Sequence, residues 1–236
     1  MSGMPDIATN LNRVMERIRT TEAAYGRPPN SVRLLAVSKR QPVAAIREAY
    51  LAGQVAFGEN YLQEAAEKQS DLNDIDIEWH LIGNLQSNKT RFAAANFAWV
   101  HTVDRAKIAQ RLSDQRPPSL PAINICLQIN ISSAPQKAGC SPAEIEPLCA
   151  AVADLPRVRL RGLMAIPEPA SDIAEQRQAF AQLRQIYARL NGNGLQLDTL
   201  SMGMSNDLDA AIAEGANYVR IGTAIFGPRK NLQEEH

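Results

Sequence analysis

Lys39 follows Ser38 directly after the apolar run Leu34-Leu35-Ala36-Val37. A lysine there either snorkels its ammonium to solvent along an apolar stem or is held at the end of a buried strand. In the second case burial disfavours the charged form and leaves a nucleophilic amine that can form a Schiff base with a carbonyl. Two further segments carry groups suited to an anion. In SMGMSND, residues 201–207, a glycine lies between two serines and Asn206-Asp207 opens a helical pattern. In RIGTAIFG, residues 220–227, Gly222-Thr223 precedes a short helix or turn. Glycine lets a phosphate oxygen approach the backbone, N–H groups at a helix start donate to it, and the hydroxyls of Ser201 and Thr223 add donors. Arg220 interrupts an apolar run just ahead of the second segment. It either pairs with a carboxylate or presents a permanent cation to a ligand.

These residues need elements that bring them together. Ile7, Leu11, Val14 and Ile18 recur at helical spacing, an amphipathic helix over about residues 5–25 that stops before GRPPN. From Leu34 onward the apolar runs RLLAVS, QVAFGE, IEWHLIG, FAWVHTV, AINICLQIN, VRLRGLMAI, DTLSMGM and NYVRIG alternate with helical patterns. Pro42 and Pro142 suit first helical turns, and Gly53, Gly192 and Gly215 suit C-terminal caps. This alternation favours a parallel sheet, either doubly wound or closed. The closed form accounts for the strand count directly. The predicted fold class is therefore α/β: a single (β/α)8 TIM barrel over about residues 33–228, with an extra N-terminal helix and a short tail at 229–236. No Pro/Ser-rich linker divides it.

In such a barrel, chemistry gathers where the strands end. Those ends are polar here: Ser38-Lys39, Gly58-Glu59-Asn60, Gly83-Asn84, Thr102, Asn130, Ser201 and Gly222-Thr223. Closure sets strand eight about 4.8 Å from strand one, so the glycine-threonine segment and the lysine face one cavity. A molecule carrying both an aldehyde and a phosphate fits that pair, and pyridoxal 5'-phosphate is such a molecule. Arg220 would then meet the pyridine nitrogen and keep it unprotonated. The ring would be a weak electron sink, which argues against transaminase-type chemistry and for racemisation or simple cofactor holding.

The rest of the chain narrows the function by exclusion. Its 236 residues are 45% hydrophobic and 21% charged, with 25 basic residues balancing 25 acidic ones. Zero net charge gives no electrostatic footprint for nucleic acid or an anionic membrane. The N-terminus lacks the pattern of a signal peptide and no apolar run reaches membrane-spanning length, so a soluble cytoplasmic protein is expected. Cys126, Cys140 and Cys149 are odd in number without C-x-x-C spacing, and read as reduced, buried thiols. His80 and His101 fall in or at the end of apolar runs and read as hydrogen-bonded core histidines rather than metal ligands. WVHTVDR has no G-x-S-x-G elbow to complete a Ser-His-Asp set.

The segments LLAVSK, FGENYLQE, WHLIGNLQSNK, VHTVD, RGLMAI and LSMGMSNDLDAAIAEGANYVRIGTAIFG extend from about Leu34 to Gly227. In them the chain resembles the YggS/PROSC family, the pyridoxal phosphate homeostasis proteins. The resemblance implies a fold similar to the N-terminal barrel of alanine racemase and Lys39 as the Schiff-base lysine. It implies phosphate held among Ser201, Gly222 and Thr223 with nearby backbone N–H groups, and Arg220 at the ring nitrogen. Asn60 and Met202 are added as pocket residues. It also implies a protein that binds the cofactor and delivers it to apo-enzymes, without robust turnover. Arg40-Gln41 departs from the small residue that often follows the lysine in that family. The enzyme alternatives are a small racemase and a Schiff-base aldolase. Two-base racemisation needs a second acid/base on the opposite face of the substrate. Alanine racemase takes it from an additional β domain of a partner subunit, for which no length remains after strand eight. A carrier, acting as a monomer, is the expectation.

Overall fold

Each of the apolar runs forms a strand in the computed structural model, which describes residues 6–132 and 137–228. The strands are β1 (Arg33–Val37), β2 (Ala56–Glu59), β3 (Glu78–Leu81), β4 (Trp99–Val103), β5 (Ile123–Gln128), β6 (Val158–Met164), β7 (Thr199–Ser201) and β8 (Tyr218–Ile221). They pair in sequence order and in parallel, and β8 returns to β1 with Leu35 opposite Arg220 and Ala36 opposite Ile221. The sheet is thus a closed barrel, as the alternation required. The expected tail at 229–236 and the first position of the expected N-terminal helix lie outside the described residues.

Strand residues alternate between two environments, as the pleat demands. One set, including Phe57, Leu81, Val100 and Ile125, joins the apolar core beneath the surrounding helices. The other set points into the barrel. Tyr218 on β8 meets His80 on β3 and Trp99 and His101 on β4, so these rings touch across the interior. Leu35, Cys126 and Met164 pack with them.

The helices are α1 (Ile7–Ala24), α2 (Val43–Leu51), α3 (Leu62–Asp71), α4 (Thr90–Asn96), α5 (Ala106–Gln115), α6 (Ile145–Ala153), α7 (Ile173–Gly192), α8 (Leu208–Ala213) and α9 (Thr223–Phe226). Helix α1 buries the expected Ile7, Leu11, Val14 and Ile18 face against α2, α8 and α9. It is capped by Asp6, whose carboxylate accepts from Ala8 N–H. Asn10 Nδ2 donates to the Ile225 carbonyl at 3.1 Å, and Arg17 pairs with Asp209 at 2.9 Å. The extra helix therefore braces the two short helices that follow β7 and β8.

Several helix ends differ from expectation. Pro42 is the N-cap of α2, not part of its first turn, and Pro142 stands before Glu144, which caps α6. Gly53 and Gly215 follow their helices at φ +98° and +99° as expected. Gly192 instead closes α7 as a helical residue, and Gly194 takes the left-handed turn at φ +98°. Helix α4 was not singled out by pattern, because its apolar residues Phe92-Ala93-Ala94-Ala95 form one unbroken block rather than a spaced face.

Candidate functional site

Lys39 leaves β1 on a step that is held from both sides. Ser38 is fully buried and its hydroxyl donates to Glu59 Oε1 at 2.6 Å. The Ser38 carbonyl accepts from Lys68 Nζ at 2.7 Å. That ammonium also donates to Glu59 Oε1 at 2.8 Å and to Glu64 Oε1 at 2.6 Å. On the other side Arg40, at φ +60°, donates its N–H to the same Glu64 oxygen. Burial pushes the Glu59 carboxyl above its ordinary value, and the Lys68 ammonium opposes that rise. Glu59 was visible among the polar strand ends. Lys68 and Glu64 were missed: their i,i+4 spacing is legible, but the burial of Lys68 under the β1–α2 step is not.

The lysine opens onto a cavity of about 520 Å³ at the C-terminal end of the barrel. Asn60, Arg220, Gly222 and Thr223 line the same wall, so five of the seven expected site residues are brought together. Two are not. Met202 is fully buried in the apolar core. Ser201 turns into the barrel, where its Oγ lies 2.8 Å from His101 Nδ1 and accepts from Arg220 Nη1 at 2.9 Å. It stands behind Arg220, with its hydroxyl already engaged. Ser205 and Asn206 of the same segment line the cavity in its stead, with Met204, Ile82 and Ile166 supplying apolar wall. Ser205 was legible as the second serine beside Gly203; the two isoleucines carried no signal beyond strand-end position.

Backbone geometry explains the two glycines. Gly203 adopts φ +95°, and a Cβ there would stand 2.4 Å from the Ala211 Cβ. Its carbonyl accepts from Arg220 N–H at 2.9 Å, tying the turn after β7 to β8. A Cβ at Gly222 would meet the Val37 carbonyl at 3.1 Å and the Val37 Cβ at 3.4 Å. A side chain there would press on the strand that carries the lysine. Arg220 is buried and burial pushes its pKa down to about 10, which leaves it a cation near neutrality. Its second nitrogen donates to the Ala165 carbonyl at 3.0 Å.

One polar atom on this wall is unmet: Asn60 Oδ1 is buried and has no hydrogen-bond partner. Buried polar atoms are nearly always paired, so a ligand group is the natural complement. An amine, a fixed guanidinium, a close-approach glycine followed by a threonine hydroxyl and an unmet amide together fit an aldehyde, a ring nitrogen and a phosphate. The donor set therefore suits pyridoxal 5'-phosphate. Among the described residues, no group of three or more His, Cys, Asp or Glu side chains is placed to hold a metal ion.

Comparison with known proteins bears on the same region. The family model described as "Alanine racemase, N-terminal domain" matches residues 9–230. A "Pyridoxal phosphate homeostasis protein" of Pseudomonas aeruginosa is 58% identical over 226 residues, 96% of this chain and 97% of that protein. The structure of PipY of Synechococcus elongatus with pyridoxal phosphate bound is 44% identical, with a TM-score of 0.79 over 89% of this chain and all of that one. Alanine racemase from Corynebacterium glutamicum shares the fold at 19% identity, with a TM-score of 0.70 over 96% of this chain and 64% of that one.

Proposed function

The chain belongs to the family of pyridoxal phosphate homeostasis proteins, and from that premise we propose that it holds pyridoxal 5'-phosphate covalently at Lys39 and acts as a carrier of it. The observation that carries this reading is the meeting of Lys39, Arg220 and Gly222-Thr223 around one cavity. When bound, the cofactor supplies an aldehyde carbon for an amine, a pyridine nitrogen and a doubly charged phosphate. Lys39 presents the amine, on a backbone step anchored through Ser38 and Arg40. Gly222 gives close backbone approach and Thr223 a hydroxyl for the phosphate, with Ser205 beside them. Arg220 donates at the ring nitrogen and, as a buried cation, keeps a proton off it. Asn60 offers its unmet amide oxygen. In this reading Ser201 serves by holding Arg220, and Met202 by shaping the core beneath.

Holding is favoured over two-base racemisation by the wall itself. Among the described residues no carboxylate, imidazole or phenol lines the cavity, and Tyr61 lines an adjoining recess. The same proposal includes delivery to apo-enzymes by a monomer in the cytoplasm. A cavity assembled within one chain supports the monomer, and three unpaired cysteine thiols support a reducing compartment. No helix among the described residues is long and apolar enough to cross a membrane.

The test is reductive trapping. After incubation with pyridoxal 5'-phosphate and borohydride, peptide mapping should find one pyridoxyl group, on Lys39, and none in Lys39→Ala. Attachment at other lysines with Lys39 unmodified would overturn the assignment. Incubating the loaded protein with single amino-acid enantiomers should leave optical purity intact; sustained loss at enzyme-like rates would reject a carrier.

A further inference from the structure

A line of hydrogen bonds runs through the barrel interior, from the cavity to the opposite mouth. Arg220 Nη1 donates to Ser201 Oγ at 2.9 Å, and Ser201 Oγ lies 2.8 Å from His101 Nδ1. His101 Nε2 lies 2.8 Å from His80 Nδ1, and His80 Nε2 lies 2.8 Å from Glu78 Oε1. The first four of these side chains are buried. Glu78 opens β3 with its side chain 40% exposed, beside Arg33 and Tyr218 in a depression at the N-terminal mouth. Trp99 stacks on His80 with ring planes 6° apart, and Tyr218 packs against both imidazoles, which fixes the rings.

The direction of every link follows from one end. An ionised carboxylate only accepts, and the bond to His80 holds Glu78 below its usual range. His80 Nε2 must therefore carry a proton. Burial keeps His80 neutral, although Glu78 opposes this, so its Nδ1 is a bare acceptor. His101 Nε2 must then donate. Burial above all, helped by the Arg220 cation, holds His101 well below its ordinary value. Its Nδ1 in turn accepts, and the donor is the Ser201 hydroxyl. The lone pairs left on Ser201 Oγ face Arg220. In the reverse direction His101 Nδ1–H and Arg220 would both point protons at Ser201, whose own hydrogen would have to turn away from both.

We propose that Glu78 is a positioning residue for Arg220: a carboxylate at one mouth of the barrel sets the donor direction of the whole line, so that Ser201 gives its hydrogen to His101 and keeps both lone pairs for the guanidinium it holds at the cavity. Other charged or titratable groups around the line are Arg33 and the Tyr218 phenol at the Glu78 end, Arg161, Asp198 and Cys126 along the wall, and Asp207 near Arg220. None of them hydrogen-bonds either imidazole. The consequence for cofactor binding rests on the place proposed above for Arg220; the direction of the line does not.

Nitrogen-15 spectra of histidine-labelled protein test the direction without cofactor, and with three histidines in the chain they are sparse. Near neutral pH, His80 and His101 should both be uncharged Nε2–H tautomers. Glu78→Leu should admit Nδ1–H forms at both and weaken uptake of pyridoxal 5'-phosphate about fivefold, the scale of one lost hydrogen bond. Glu78→Gln, which keeps an acceptor oxygen and suits the same space, should restore both readouts. Ser201→Ala should weaken uptake yet leave both tautomers as in the parent. An Nδ1–H form at either histidine of the parent would overturn the proposal. So would Glu78→Leu with tautomers unchanged, or Ser201→Ala scrambling them while Glu78→Leu does not. If the tautomers behave as expected but the parent takes up no cofactor, the cofactor reading fails and the line of hydrogen bonds stands.

Discussion

Thr223 is the residue where the anion reading is most exposed to test, because its hydroxyl is offered to a group of high charge. Thr223→Ala removes a charge-assisted hydrogen bond worth about 1.5–3 kcal/mol, so the dissociation constant for pyridoxal 5'-phosphate should rise roughly tenfold to a hundredfold. Titration of cofactor absorbance measures it, and an unchanged constant would remove Thr223 from the site. Residue type and strand position singled out Lys39, Arg220, Gly222 and Thr223, which line one cavity, while Asn60 entered as a pocket residue only through the family resemblance. Ser201 was legible as a polar residue but not in its role. Whether the last residue of β7 points into the barrel or up into the cavity depends on register against β6 and β8, where Ser201 pairs Met164 and Tyr218. The two histidines were read as hydrogen-bonded core residues, and they are. That they bond to each other was hidden, since nothing in a sequence aligns position 80 of one strand with position 101 of the next.

The β1–α2 step is only as firm as the buried charges beneath it. Lys68 and Glu59 have side chains 6% and 0% exposed. Removing one partner of such a pair leaves an uncompensated buried charge, at a cost of about 3–5 kcal/mol. Lys68→Met should lower the urea midpoint accordingly and also slow trapping at Lys39, since it frees the Ser38 carbonyl and Glu64. A variant as stable as the parent would show that the network is not structural. The turn after β7 makes a second case. Gly203→Ala puts a Cβ at φ +95° and against Ala211, which should destabilise the fold by about 1–3 kcal/mol. At this scale the sequence disclosed the amphipathic α1 and all the strands, because each has a clear period or a bounded apolar run. It did not disclose α4, whose apolar residues form one block, or the shift of the left-handed turn from Gly192 to Gly194, where the Leu195 N–H closes onto the Leu190 carbonyl.

Across the whole molecule, the barrel was legible from alternation and count, while the connections within its polar interior were not. That interior gives the fold a pH signature. His80 and His101 are held neutral below the ordinary value of 6.5. Between their folded values and 6.5 the unfolded chain binds more protons, so stability rises with pH in that window and is lost as pH falls from about 6.5. Each such group contributes a slope of about 1.4 kcal/mol per pH unit. The urea midpoint should hold near neutrality and fall below about pH 6.5, and His101→Gln should fall less steeply. Equal slopes in parent and variant would contradict the buried neutral pair. The cavity above it carries the central claim, and a crystal structure of the protein with pyridoxal 5'-phosphate tests that claim most directly. Continuous density from Lys39 to the cofactor is expected, with the phosphate over Gly222-Thr223 and the ring nitrogen on Arg220. Cofactor bound elsewhere, with the Lys39 amine unmodified and those groups untouched, would contradict it.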